Sequence, residues 1–286
     1  MAISDIFTKK RLLRHPLFAF FLGVLYVLVG FSTANYFFSS DASMATLFFI
    51  TILVVPTVVK LLKLEEEIER RVGVKHFLKN HVQIFKIYGM LFLGIFFGYL
   101  LLGHLAQTSY VDEFVSYDTV FGFQAKFLTG NNFTESAIED FVNRESAGSI
   151  TNFFNLLQNN VGVAIVCFIL SFFYGAGGIY LLVLNASIFS AAIMLVSRFL
   201  ANSLLEFFQI IGVFAIHLVP EVLGFLIAAI AGGLVSKALV LEQFGSKKFT
   251  NVVKDSLILF LISLTLILIS SFLEGMVTPG IFLSLF

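Results

Sequence analysis

His217-Leu218-Val219-Pro220-Glu221 places an imidazole and a carboxylate four residues apart inside a stretch that is otherwise apolar from Gly212 to Gly233. A carboxylate at bilayer depth costs at least ~2.5 kcal/mol on insertion scales, so such a residue faces a bundle interior or a water-filled cavity. Pro220 has no N–H, and its ring meets the carbonyl of Ile216 four residues back, which predicts an interrupted helix here. Two chemistries fit that prediction. In the first, a discontinuous helix near the midplane lets His217 and Glu221 exchange protons or ligate an ion, as in many transporters. In the second, the motif is structural: Pro220 opens a new helix, Glu221 sits in its first turn, and His217 closes the half-helix before it.

A second polar set accompanies the fourth apolar stretch. Gln158, Asn159 and Asn160 lead into it, Ser171 and Tyr174 lie within it, and Asn185 stands at its end. Asn159 and Asn160 are predicted N-caps, and Asn185 is placed to cap the helix C-terminus or to donate to a buried partner. We take His217, Pro220, Glu221, Asn185 and Asn160 together as a candidate intramembrane polar site. No nucleotide-binding glycine loop, nucleophile elbow, zinc HExxH or spaced acid pair appears, and no Ser or Cys completes a triad with His217 and Glu221. Two ligands are too few for a metal. We therefore expect no catalytic residue, no metal and no cofactor, and a protein that is not an enzyme.

The elements that must position these residues are membrane helices. Hydrophobic residues make up 58% of the chain and charged ones 13%, and the mean hydropathy is +0.97. Soluble domains have roughly 45–50% and 25%, so a bilayer is the implied environment. Net charge is zero, which gives no global field for nucleic acid. The single cysteine, Cys167, has no disulfide partner. With no tryptophan in the chain, Tyr36, Tyr88, Tyr110 and Tyr180 are the expected interfacial anchors.

Spans of about 20 apolar residues are predicted over 17–38, 44–62, 87–105, 161–184, 222–241 and 257–272. Residues 207–216 are apolar but too short to cross alone, and 186–205 carries Ser187, Ser190, Ser197, Arg198 and Asn202. The expected fold class is all-α: a polytopic transmembrane helix bundle of about six spans plus one broken or re-entrant helix, with a partly helical outer loop. The expected organisation is an N-terminal three-span region over 1–106 with a cytoplasmic amphipathic hairpin at 60–86, an extracytoplasmic loop over 107–158, and a C-terminal membrane region over 159–286.

Orientation follows from Lys and Arg. The N-terminus carries Lys9, Lys10, Arg11 and Arg14; the segment Lys60 to Lys86 holds seven basic residues; Lys237, Lys247, Lys248 and Lys254 form a third group. The loop from Gln107 to Asn160 has only Lys126 and Arg144 against seven acids. The positive-inside rule puts the N-terminus in the cytoplasm and that loop outside. Asn132-Phe133-Thr134 in the loop fits a glycosylation sequon. The 63–86 segment reads as a solvated cytoplasmic hairpin or as an interfacial helix gripping anionic lipid.

Small residues mark predicted helix contacts: Gly94 and Gly98 as a GxxxG, Gly175 to Gly178 as a second smooth patch, and Ala228 to Gly233, including Gly232 and Gly233, as a third. In lipid, close van der Waals packing drives helix association, and small residues permit it. These faces predict packing within the chain or a homo-oligomer or other membrane-protein interface.

Asn159-Asn160 opening an apolar helix with Gly175 and Gly178, then Asn185, then a His-containing stretch ending in Glu221 and running into 228–233, resembles the stage II sporulation protein M family over roughly residues 154–240. The family often has glycine after the histidine and after the asparagine, where this chain has Leu218 and Ala186. The resemblance implies a polytopic membrane protein. It also implies a relative of a membrane scaffold that, in spore formers, serves a peptidoglycan-remodelling complex during engulfment. The expected function is an integral membrane scaffold or assembly protein organising a membrane complex, in a bilayer and with no nucleic acid. The alternative is a channel or transporter with a polar site at the broken helix.

Overall fold

A computed structural model describes residues 15–72, 77–107, 114–130, 133–136, 138–139, 149–174 and 177–286; of the side chains, those of 60–72, 77–81, 83 and 84 are left aside. The described residues are helical, with no strand among them. In chain order they form α1 (Leu17–Phe37), a 3₁₀ turn (Ser39–Asp41), α2 (Ala42–Val72), α3 (Phe77–Gln107), α4 (Tyr117–Gly130), α5 (Ile150–Tyr174), α6 (Gly178–Leu200), α7 (Leu204–Leu241), α8 (Lys247–Phe272), a π-helical segment (Leu273–Val277) and α9 (Thr278–Leu285). Seven stretches are long and apolar enough to cross a membrane: 17–37, 39–59, 85–107, 150–174, 178–200, 204–241 and 247–285. The protein is a polytopic helical membrane protein, and α4 supplies the helix expected in the long loop.

Three expectations are corrected. No helix is broken at Pro220, because α7 runs unbroken for 38 residues through it. The chain enters α7 at Ser203, whose hydroxyl accepts from the Glu206 N–H at 3.2 Å, a Ser-x-x-Glu start that fixes the N-terminus seventeen residues before the proline. Next, the fourth span does not run over 161–184. It begins at Ile150, with Ser149 Oγ accepting from the Asn152 N–H at 3.1 Å, so Asn159 and Asn160 are mid-helix residues and not caps. It ends at Tyr174, and α6 begins at Gly178. A Cβ at Gly177 would lie 2.6 Å from the carbonyl oxygen of Leu170, so the close approach to the end of α5 requires glycine there. Asn185 consequently lies inside α6, away from either helix end. Finally, the polar stretch 186–205 belongs for the most part to that full spanning helix, with Ser187, Ser190 and Ser197 buried.

The charged segment after the second span continues α2 to Val72, and α3 starts at Phe77. The side chains that would decide between a solvated hairpin and a lipid-gripping helix, Asn132 of the sequon and Gly175 lie outside the described residues.

The chain divides into two compact units, Met1–Gln124 with Leu182–Ser190, and Ala125–Leu181 with Ala191–Phe286. In the first, α1 packs on α2 and α3. The α1–α3 contact is a glycine seam. A Cβ at Gly94 would run into the Phe20 carbonyl, one at Gly23 would lie 2.6 Å from the Leu91 oxygen, and one at Gly98 would lie 2.9 Å from Val27 Cβ. The unit buries neutral polar groups that bond to one another. Tyr26 Oη lies 2.9 Å from Thr57 Oγ1, Asn35 donates to the Phe114 carbonyl at 2.7 Å, and Ser190 donates to the Phe96 carbonyl at 3.0 Å.

In the second unit α7 packs on α5 and α8, and α5 on α8. A Cβ at Gly232 would run into the Phe168 carbonyl, and one at Gly178 into Ser171 Oγ and, at 2.9 Å, Ala229 Cβ. Gly233 is buried beside Gly232. Gly94, Gly98, Gly178 and Gly232 therefore all sit at close helix contacts, as their size predicts.

Candidate functional site

His217 and Glu221 lie one turn apart on α7, so both project from the same face. Each is only 5% exposed, while Val219 and Leu223 on other faces are exposed. Pro220 is half-buried between them. The opposite wall comes from α8 and the segments after it. Ser270 Oγ donates to the His217 carbonyl at 2.9 Å and lies 3.5 Å from Glu221 Oε2. His217 Nδ1 is 3.2 Å from Thr278 Oγ1, and its ring packs 5.6 Å from that of Phe214. Glu274, half-buried in the π-helical segment, is an electrostatic neighbour of Glu221.

The Ser270 bond braces α7 beside its proline. Pro220 removes one donor and crowds the carbonyls of the preceding turn. In a membrane such carbonyls are satisfied by hydroxyls from a neighbouring helix. Here a serine of α8 reaches the His217 carbonyl, in that turn. Two further serines of α8 make the same kind of contact along the seam: Ser263 donates to the Gly224 carbonyl at 2.8 Å and Ser256 to the Ala231 carbonyl at 2.7 Å.

Of the residues singled out from sequence, His217, Pro220, Glu221 and Asn160 belong to the second unit, whereas Asn185 is half-buried in the first. Asn160 is 4% exposed; its Oδ1 accepts from Asn159 Nδ2 at 3.2 Å, and its own Nδ2 has no hydrogen-bond partner among the described residues. Sequence reasoning missed Ser270, Glu274 and Thr278. One signal was available: Glu274 is the sole carboxylate in 257–286. The predicted span 257–272 stops short of it, but the helical chain continues to Leu285. The described residues contain no group of three or more His, Cys, Asp or Glu arranged to hold a metal ion.

A sequence model of stage II sporulation protein M matches residues 17–279. The chain belongs to the stage II sporulation protein M family. No curated protein and no solved structure matches the chain. The family match starts with α1 and runs into α9, so it takes in the first three spans and the long loop, beyond the 154–240 stretch on which the resemblance first rested. Both the α1–α3 glycine seam and the His217–Glu221 face thus lie within the part of the chain that carries stage II sporulation protein M character.

Proposed function

We propose that this member of the stage II sporulation protein M family is a membrane scaffold, an assembly platform for other membrane proteins or for further copies of itself. The observation that carries this reading is the continuity of α7. The discontinuous helix on which a transporter-type site was expected is one helix, locked to α8 by three serine–carbonyl bonds and to α5 at Gly232. A rigid helix pack with close seams suits a platform. The partners are membrane proteins, reached within the bilayer or through the loop that contains α4.

A second reading, a channel or transporter, is favoured by one observation: His217 and Glu221 are buried ionisable residues at bilayer depth, which by default mark ion or proton pathways. Reconstitution into liposomes separates the two. The scaffold reading expects no flux of H⁺, Na⁺, K⁺ or Cl⁻ above protein-free vesicles, together with a defined oligomer or complex on cross-linking in native membranes. Flux by the wild type that Glu221→Gln abolishes, in a protein that still melts normally, overturns it.

We propose an N-terminus in the cytoplasm. Seven crossings then bring the N-terminal, 60–86 and 237–254 basic groups to one side and the acidic 107–160 loop to the other, as the positive-inside rule requires. Cysteines introduced at Ser136 and Lys75 in a Cys167→Ala background test this with an impermeant thiol reagent on intact cells. Labelling at 136 alone is expected, and labelling at 75 alone reverses the orientation.

A further inference from the structure

We infer that the outward face of α5 is the contact between two copies of this chain. The two α5 helices lie parallel in the bilayer, and Asn152, Asn155 and Asn159 of one copy hydrogen-bond to the same residues of the other. The inference rests on the scaffold reading above and names its partner.

The face itself is the first observation. α5 is buried on one side, through Asn160, Ala164, Cys167 and Ser171. On the opposite side Asn152, Asn155, Asn159, Val166 and Ile169 are exposed, and nothing lies within 4 Å of the Cβ direction of Gly162 between them. These six positions follow one another at intervals of three, four, three, four and three residues. That alternation is the seam of a left-handed helix pair, the commonest way for membrane helices to pack. Any helix offers such a seam on some face. What singles this one out is that half of it is asparagine.

Depth is the second observation. α8 runs antiparallel to α7, by the pairs Ser256–Ala231, Ser263–Gly224 and Ser270–His217. It runs antiparallel to α5 also, by Phe260–Phe168 and Phe272–Phe153. α5 and α7 are therefore parallel, and Gly232 of α7 lies against Phe168 and Phe172 of α5. Counting eleven residues back from each side of that contact, Asn159 stands level with Glu221 to within about 2 Å. At this level the neighbouring helices expose apolar side chains: Val219 and Leu223 on α7, Leu268 and Ile269 on α8. Thr265, exposed on α8, turns its hydroxyl back to the Leu261 carbonyl at 2.9 Å. Exposed apolar residues also continue past this level toward the N-terminal end of α7, as far as Phe208, about 20 Å beyond Glu221. The asparagines of α5 thus lie within the apolar band of the protein and not at its edge.

Amides exposed in hydrocarbon need hydrogen-bond partners. Each carries one acceptor oxygen and two donor hydrogens, and the Asn159 bond to Asn160 Oδ1 at 3.2 Å uses one hydrogen only. A covering surface must therefore offer both donors and acceptors, uncharged, at three successive turns. A second copy does so by symmetry. When the two-fold axis stands along the membrane normal, each seam residue meets its own counterpart at the same depth. An asparagine facing an asparagine can donate and accept at once, and in helix pairs such a residue fixes register and the number of strands. Val166 and Ile169 complete the seam with apolar contact.

The test uses the full chain. Single cysteines in a Cys167→Ala background are oxidised in native membranes, where a disulfide can join only two different chains. Val166→Cys and Ile169→Cys should give a species of twice the chain mass, and Leu261→Cys, on the exposed face of α8, should not. Energy transfer between donor- and acceptor-labelled copies in liposomes, followed as lipid is added, then reads the dimer affinity. Replacing both Asn155 and Asn159 with Leu should weaken it by roughly tenfold or more. Asn159→Gln keeps an amide that pairs with itself and should stay close to the wild type, as should Thr265→Leu on α8. The inference is overturned if the wild type is monomeric in liposomes, if Leu261→Cys links as well as Val166→Cys, or if the double leucine variant pairs undiminished. A link from Val166→Cys to a different protein also overturns it, while leaving the scaffold reading standing. Ion flux overturns the scaffold reading without touching the dimer.

Discussion

The two compact units use the same packing device and differ in what they bury. In the first, Gly23, Gly94 and Gly98 let α1 and α3 approach until backbone meets backbone, and the enclosed polar groups are neutral: Tyr26 with Thr57, Asn35 with a carbonyl, Ser190 with a carbonyl. In the second, Gly232 brings α7 onto α5 in the same way, but the interior also holds His217 and Glu221. Glycine seams alone are enough to assemble membrane helices. Buried ionisable residues are a cost in hydrocarbon, so the second unit is where function beyond assembly should be sought.

The most severe way to break this comparison is to fill the seams. Gly94→Leu and Gly232→Leu each drive a side chain into a backbone carbonyl that cannot move without its helix, and each should cost about 3 kcal/mol or more, read as a lower melting temperature in detergent. A Gly232→Leu protein as stable as wild type would mean that α5 and α7 are not in contact. Ser270→Ala comes next. It removes the interhelical donor to the His217 carbonyl, in the turn already crowded by Pro220, together with the contact to Glu221 Oε2, at about 1–2 kcal/mol. Tyr26→Phe is the matching change in the neutral unit; it removes one hydrogen bond at a net ~1 kcal/mol, so its melting shift should be the smaller of the two. Smallest of all are Gly162→Ala and Gly212→Ala. Nothing lies within 4 Å of either Cβ position, and both should raise stability by about 0.5–1 kcal/mol through helix propensity. A loss at either would reveal a contact made by another molecule in the membrane, which sharpens the scaffold reading.

Several features were legible because they depend on composition and local chemistry. Apolar runs of about twenty residues announce spans whatever they pack against, and Gly94, Gly98 and Gly232 announce close contacts because only glycine allows them. Position 177 was harder. A glycine run inside an apolar stretch looks like a smooth helix face, and only the end of α5 at Tyr174 and the start of α6 at Gly178 show that two helices meet there. The polar stretch 186–205 poses a related difficulty. Serines that look too polar for a span are harmless once their hydroxyls bond to carbonyls, as Ser190 does to Ala186 and Phe96.

Pro220 divides what sequence determines from what tertiary structure decides. The chain by itself dictates that a donor is missing and that a ring crowds the preceding turn, so local rules predict a break. Whether the helix yields depends on what stands opposite. Ser270, fifty residues further on, bonds to a carbonyl of that turn, and α7 continues. An irregularity appears instead on the partner, in the π-helical segment Leu273–Val277, where no proline occurs, and that segment holds Glu274, an electrostatic neighbour of Glu221. Sequence alone determined that an acid and an imidazole lie at bilayer depth on one helical face. That a second acid joins them required two helices to run antiparallel in one register, and no local pattern encodes such a pairing across fifty residues of chain.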